Sequence, residues 1–345
     1  MSASGRRGVS RRMGRRARIG ILAMALATAW ALVMAVAAGA TTVTVGSVMP
    51  PTFTSTPFGG VRTQFNTALP EAGSNLTSPV TGAIVRWKVQ GAKGGPFTLR
   101  ILHPNGAGAY TAVGASAPVT PKDIGIETFS TQLPIHAGDL IGIDSSNPTD
   151  EIGVANVGPA TYGVFSTPPF EGSTNAPSST VTSSELELSA EVQPAPAITG
   201  VSATQGSILG GEKITITGTN LNGTTALMFG EVAATSFSIT GEERITAVVP
   251  SQAKVGTVDI VATTLAGESP LTKADNYTYL GCTVPRLVGR RLAGAKNAIR
   301  GGGCTVGKVT KVKAAKKKKG KVVKQNPEAG RVLAPGTKVA IKLGK

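Results

Sequence analysis

The stretch Gly210-Gly211-Glu212-Lys213-Ile214-Thr215-Ile216-Thr217-Gly218-Thr219-Asn220-Leu221 decides the fold. Ile214 and Ile216 alternate with Thr215 and Thr217, so one face is apolar and the other polar, which is the period of a half-buried strand and not of a helix. The paired glycines before it permit a tight turn, and Gly218 to Asn220 supply the next one. The same grammar recurs outward in both directions. Thr42 to Val45, Ile84 to Val89, Phe97 to Leu102, Leu140 to Ile143, Tyr162 to Phe165 and Leu186 to Val192 are short alternating runs bounded by Gly, Pro, Ser and Asn.

The composition of the 345 residues agrees with that reading. The chain is 41% hydrophobic, 16% charged and 4% aromatic, with 44 Gly and 22 Pro. It is too apolar for a disordered chain, and its helix formers are too diluted for a bundle or coiled coil. Residues 41–193 hold enough alternating segments for one β-sandwich, expected to be of jelly-roll type, with no helix of useful length. Pro194-Ala195-Pro196 closes that region as a stiff linker.

Around the opening stretch, residues 194–280 carry a wider pattern. It runs from Pro196-Ala197-Ile198-Thr199 through Gly206 to Met228-Phe229-Gly230. The strand Ile245 to Pro250, the run Gly256-Thr257-Val258-Asp259-Ile260 and the closing Tyr277-Thr278-Tyr279 complete it. This pattern resembles an IPT/TIG domain, and the resemblance implies a small immunoglobulin-like sandwich. Ala203 stands where that family usually has Pro after Ser202, a departure that touches a turn.

Residues 281–345 carry Val284-Pro285-Arg286-Leu287-Val288-Gly289, then Cys304-Thr305-Val306-Gly307, Gln325-Asn326-Pro327-Glu328-Ala329-Gly330 and Pro335-Gly336-Thr337-Lys338-Val339. This segment resembles a PASTA domain, a module found on some penicillin-binding proteins and bacterial Ser/Thr kinases. The resemblance implies one helix on a three-stranded sheet and association with peptidoglycan. Leu292, Ala295 and Ile299 fall at helical spacing and give the helix one apolar face.

Charge is distributed unevenly. The formal net charge is +16, with +7 in residues 1–40, −8 in 41–280 and +17 in 281–345. The last segment departs from its family in a run of lysines: Lys311, Lys313, Lys316, Lys317, Lys318, Lys319, Lys321 and Lys324. Arg286, Arg290, Arg291 and Arg300 lie nearby in sequence. Flexible ammonium groups bind polyanions by counterion release, without the geometry that reads a sequence. Peptidoglycan or another anionic cell-wall polymer is the expected partner, against the alternative of a solvated loop that binds nothing in particular. Nucleic acid is not expected, because residues 281–345 contain no aromatic for base stacking.

At the other end, Arg6, Arg7, Arg11, Arg12, Arg15, Arg16 and Arg18 precede a 22-residue uncharged and mostly apolar run, Ile19 to Ala40. A basic segment followed by an apolar one is the order of a secretory signal, and Ala38-Gly39-Ala40 offers cleavage after Ala40. An uncleaved membrane anchor is the alternative, since 22 residues are long enough to span a bilayer. Either way the remainder lies outside the cytoplasm, and contact with a membrane is expected only if the signal is retained. Cys282 and Cys304 are the only cysteines, and an even pair in an exported chain reads most simply as a disulfide. A zinc site is the weaker alternative, with no His or further Cys nearby.

Catalytic chemistry is sparse. His103 and His136 are the only histidines, each sits in a turn-like setting, and neither has a nucleophile signature around it. Both read as surface loop residues. Asp139, Asp144, Asp150 and Glu151, with Ser145, Ser146 and Asn147, offer oxygen ligands for calcium, but their spacing matches no EF-hand. Solvated turn acids are the simpler reading. Trp87 alternates in phase with Val85 and Val89, which makes it core and not a platform for a sugar ring. The sequence therefore points to a non-enzymatic protein of the cell surface, with no cofactor and no metal. Two alternatives place a ligand on residues 41–193. One is a surface adhesin binding a protein, and the other is a carbohydrate-binding or enzymatic sandwich. A glycosidase would need two carboxylates about 5 to 9.5 Å apart.

Overall fold

In the computed structural model, residues 41–345 are described. The expected export signal at 1–40, with its cleavage site at Ala40, lies outside the described residues. Among the described residues no helix is long and apolar enough to cross a membrane. They form one compact unit dominated by antiparallel strands, with a single α-helix.

The first sandwich has eight principal strands: Val43–Gly46, Thr63–Ala68, Gly82–Val89, Thr98–Pro104, Tyr110–Ala115, Glu127–Ile135, Leu140–Asp144 and Leu188–Pro194. Counted along the chain, one sheet has the order first, eighth, third, sixth, and the facing sheet the order fifth, fourth, seventh, second. Two interleaved four-strand sheets wound in this order make a jelly roll. The segment between the seventh and eighth strands adds Thr161–Phe165 and Ser179–Thr182 to one edge of the second sheet. It also supplies Glu151–Ala155 and Glu185–Leu186, which join Thr54–Pro57 in a third small sheet.

Period two explains the core. On Gly82–Val89, Trp87 and Val89 are fully buried while Arg86 and Lys88 face outward. Trp87 stacks tilted on Phe129 with ring centroids 5.0 Å apart, so it is core, as its phase predicts. Arg86 and Lys88 both reach Glu191 on the neighbouring strand, Lys88 Nζ at 2.7 Å. The expected stiff linker is two residues long, between Leu188–Pro194 and Ala197–Val201. Ala195 is held at both ends, its N–H donating to Thr81 and its carbonyl accepting from Asn220.

The next sandwich sets Ala197–Val201, Lys213–Thr219, Arg244–Val248 and Ser236–Ile239 against Gln205–Ser207, Asn276–Leu280, Gly256–Thr264 and Ala226–Phe229. Ile214 and Ile216 are buried and alternate with half-buried threonines. Gly210 has φ +65°, and a Cβ there would collide with the backbone of Val249 and Pro250. Only glycine fits that turn.

The last module lays the helix Leu292–Gly301 on the sheet Thr305–Val312, Lys338–Gly344, Val322–Asn326. Ala295 and Ile299 are buried against Val322, Val339 and Ile341. Cys282 and Cys304 form a disulfide with Cα atoms 4.6 Å apart.

Candidate functional site

The sheet of the last module has two unlike faces, and period two assigns the residues to them. Val339, Ile341 and Leu343 point into the core beneath the helix, which turns Lys338, Ala340 and Lys342 to the opposite face. Lys342 lies in register with Thr310 on one side and with Lys324 on the other. Lys308 lies at the irregularity between Val306 and Val309 and lines the same groove as Thr310. Together Lys308, Thr310, Lys324, Asn326 and Lys342 line a groove of about 240 Å³ whose floor includes Ala340. Three ammonium groups thus rise around a shallow floor, with their alkyl stems available to an apolar substituent.

The other lysines of the run sit beside this face. Lys311 lies on the edge strand, and the strand ends at Val312 before Lys313. Lys316–Lys318 form a 3-10 turn, Lys319 bridges to Gly344, and Lys321 bridges to Arg291. The run is therefore not one loop: its first and last members belong to strands. All eight lysines are exposed. Among the described residues, no ion pair involves a cation of residues 281–345. Glu328 is the one acid in that segment, against eighteen basic side chains, so its cations keep their full field for an external anion.

Lys308 and Lys342 were missed by reasoning from the run alone. They are separated by more than thirty positions in sequence and meet only because Thr305–Val312 pairs in parallel with Lys338–Gly344. The alternation Val339-Ala340-Ile341-Lys342-Leu343 was the available signal for Lys342.

The remaining candidates are put to structural use. Asp139 is fully buried, not solvated. It contacts His103 Nδ1 at 2.6 Å and accepts from the His136 backbone N–H at 2.8 Å. Both imidazoles stay largely exposed, and no serine, threonine or cysteine hydroxyl or thiol is hydrogen-bonded to either ring among the described residues. Asp144 is buried between Thr63 and Arg100. Asp150 is buried and accepts from the backbone N–H groups of Gly95, Ser146 and Asn147 at 2.7 to 2.9 Å. Glu151 pairs with Lys93 at 2.9 Å. The expectation of solvated turn acids is thus corrected for these three aspartates: their oxygens are consumed by backbone donors, hydroxyls and Arg100, so burial carries little penalty.

Comparison with known proteins finds the IPT/TIG domain at residues 196–279 and the PASTA domain at residues 283–345. Domains of these two kinds fit a cell-surface or envelope-associated protein. No curated protein matches the chain. Among solved structures, the full extracellular region of plexin A4 is 15% identical over 71% of this chain and 19% of that one, with a TM-score of 0.24. SGBP-B from a complex xyloglucan utilization locus in Bacteroides uniformis is 15% identical over 67% of this chain and 49% of that one, with a TM-score of 0.21. The chain therefore spans less than half the length of either, and likeness of this degree bears on neither fold nor function.

Proposed function

We propose that the protein is a non-enzymatic surface protein, exported through residues 1–40 and held at the cell envelope by its basic PASTA module. Peptidoglycan or another anionic envelope polymer is the ligand of that module. One observation carries the reading: residues 281–345 present eighteen basic side chains against one acid. None of them is engaged in an ion pair among the described residues. PASTA domains generally bind peptidoglycan or peptides, and stem-peptide carboxylates or wall phosphates are the anions such a surface attracts.

On this reading the groove of Lys308, Lys324 and Lys342 takes a carboxylate together with a small apolar substituent. Lys316 to Lys319 add long-range attraction that salt screens. Residues 194–280 act as a spacer, and residues 41–193 are the part presented outward. The test is sedimentation with intact cell-wall sacculi. Protein comprising residues 41–345 is expected in the pellet, and protein ending at residue 280 in the supernatant. Equal pelleting of the two would reject the module as the anchor.

A further inference from the structure

The lysine run is seated by the backbone at one corner of the last module. Lys316–Lys318 form a 3-10 turn, and the Lys321 N–H donates to the Lys318 carbonyl at 3.2 Å. The Gly320 N–H then donates to the Gly344 carbonyl, and the Gly344 N–H to the Lys321 carbonyl, both at 2.9 Å. A Cβ on Gly344 would stand 2.4 Å from the Lys318 carbonyl oxygen, so only glycine lets the last strand approach the lysine turn this closely.

On its other side the run meets the segment that leads into the helix. Arg291 and Lys321 are partners in an antiparallel bridge, and the Val322 N–H donates to the Arg290 carbonyl at 2.9 Å. Partners of this kind turn their side chains to one face with Cβ atoms about 5 Å apart, and like charges so placed repel. Arg290 Nε donates to the Arg286 carbonyl at 3.0 Å, which orients the guanidinium and leaves its two terminal nitrogens to an outside acceptor. Arg290, Arg291, Lys316 to Lys319 and Lys321 are all exposed, and no ion pair among the described residues includes any of the seven. Glu328, the one acid of residues 281–345, lies past the far end of the strand Val322–Asn326.

A repulsive pair fixed by the backbone, with no acid of its own, is relieved by an anion from outside. A single carboxylate engages only a few of these groups, whereas a chain with a charge at every unit engages them all. A phosphodiester carries that charge within the chain itself, so successive anions follow the polymer around the corner, and guanidinium forks grip phosphate through paired N–H bonds. We propose that this corner binds a linear phosphodiester polymer, with Arg290 and Arg291 forked onto phosphates and the lysines neutralising the neighbouring units. This assignment rests on residues 281–345 being the anchor and gives phosphate as the wall-polymer chemistry taken beside the carboxylate groove. The segment holds no aromatic to stack on a base or to enter a bilayer, which favours a wall polymer over nucleic acid or membrane.

The test measures binding of residues 41–345 to fluorescent poly(glycerol phosphate) and to poly-glutamate of equal charge number by anisotropy, from about 0.02 to 0.3 M NaCl. The phosphate polymer is expected to bind at least about tenfold more tightly. Arg290→Lys with Arg291→Lys keeps every charge and is expected to erase that preference. Arg290→Gln, Arg291→Gln and Lys321→Gln together should weaken phosphate binding and lower the slope of log affinity against log salt by about 2, the counterion release of three contacts. Changing Lys308, Lys324 and Lys342 to Gln should leave the preference in place. Equal affinity for the two polymers, or a preference that survives the exchange of both arginines for lysine, would overturn the proposal. So would equally tight binding to phosphatidylglycerol vesicles or duplex DNA, since a bilayer or nucleic acid would then be the partner. Sacculi that still retain the protein in any of these cases would leave the anchoring reading standing, so the two fail separately.

Discussion

Removing the disulfide should expose how little else holds the last module together. The bridge joins Cys282 to Cys304 across 22 positions, and the helix Leu292–Gly301 lies inside the closed loop. Chain-entropy cost for a loop of that length is about 3 kcal/mol at 25 °C. A module of some 65 residues has a core that rarely supplies more than about 3 to 5 kcal/mol, so the double variant Cys282→Ala, Cys304→Ala should stand near the edge of folding. Ala also leaves two small cavities, since both cysteines are buried. The assay is amide hydrogen exchange of Ala295, Ile299 and Ile341 in residues 41–345, because the other sandwiches would mask a single melting curve. Exchange should accelerate roughly 100-fold or more at those amides, with no change at Trp87 or Ile216. Acceleration below about tenfold, equivalent to some 1.4 kcal/mol, would refute the reasoning.

Three further outcomes follow from the geometry. Trp87→Ala should cost about 3 to 5 kcal/mol in denaturant unfolding of the first sandwich, whereas Trp87→Phe should cost about 2, since the indole N–H has no acceptor to lose. Burial raises the Glu191 carboxyl, but hydrogen bonds and charge from Lys88 and Arg86 outweigh it and hold the group below its ordinary value. Its contribution is therefore present above pH 4.5 and lost as pH falls through the lower folded value. Glu191→Gln should accordingly be less stable than the parent at pH 7 and equal to it near pH 2, which thermal melts across that range would check. Changing Lys316 to Lys319 to Gln should leave stability within about 0.5 kcal/mol, as exposed side chains without partners do. A larger loss would mean the lysines have a structural role.

Much of the architecture was readable because it is local. Ile214 and Ile216 announce their strand, Trp87 announces its face, and Leu292, Ala295 and Ile299 announce the helix, each through period alone. The winding of the first sandwich was less accessible, because pairings such as Val45 with Ala190 span most of the domain. The site divides the same way. A lysine run is visible in sequence, yet the groove depends on Lys308 and Lys342 meeting across a parallel pair. Glu185 and Glu187 alternate with Leu186 and Leu188 as if on a half-buried strand with acids in water. Chain from elsewhere buries them, with Ser47 at Glu185 and the backbone of Gln90 and Gly153 beside Glu187, and nothing in the strand itself records that cover. Asp139 and Asp150 sit in loops rich in turn residues, where the pattern gives exposure as the default and the backbone donors they serve come from the third dimension.

The most direct measurement of the central claim is sedimentation of residues 41–345 with sacculi from about 0.01 to 1 M NaCl, over which the Debye length falls from about 30 Å to about 3 Å. Two variants accompany the parent: Lys316 to Lys319 changed to Gln, and Lys308, Lys324 and Lys342 changed to Gln. Anchoring by the basic module predicts strong retention at low salt that fades as salt rises, weakened by the first variant and largely abolished by the second. Retention indifferent to salt and to both variants, or no retention of the parent at the lowest salt, would contradict it.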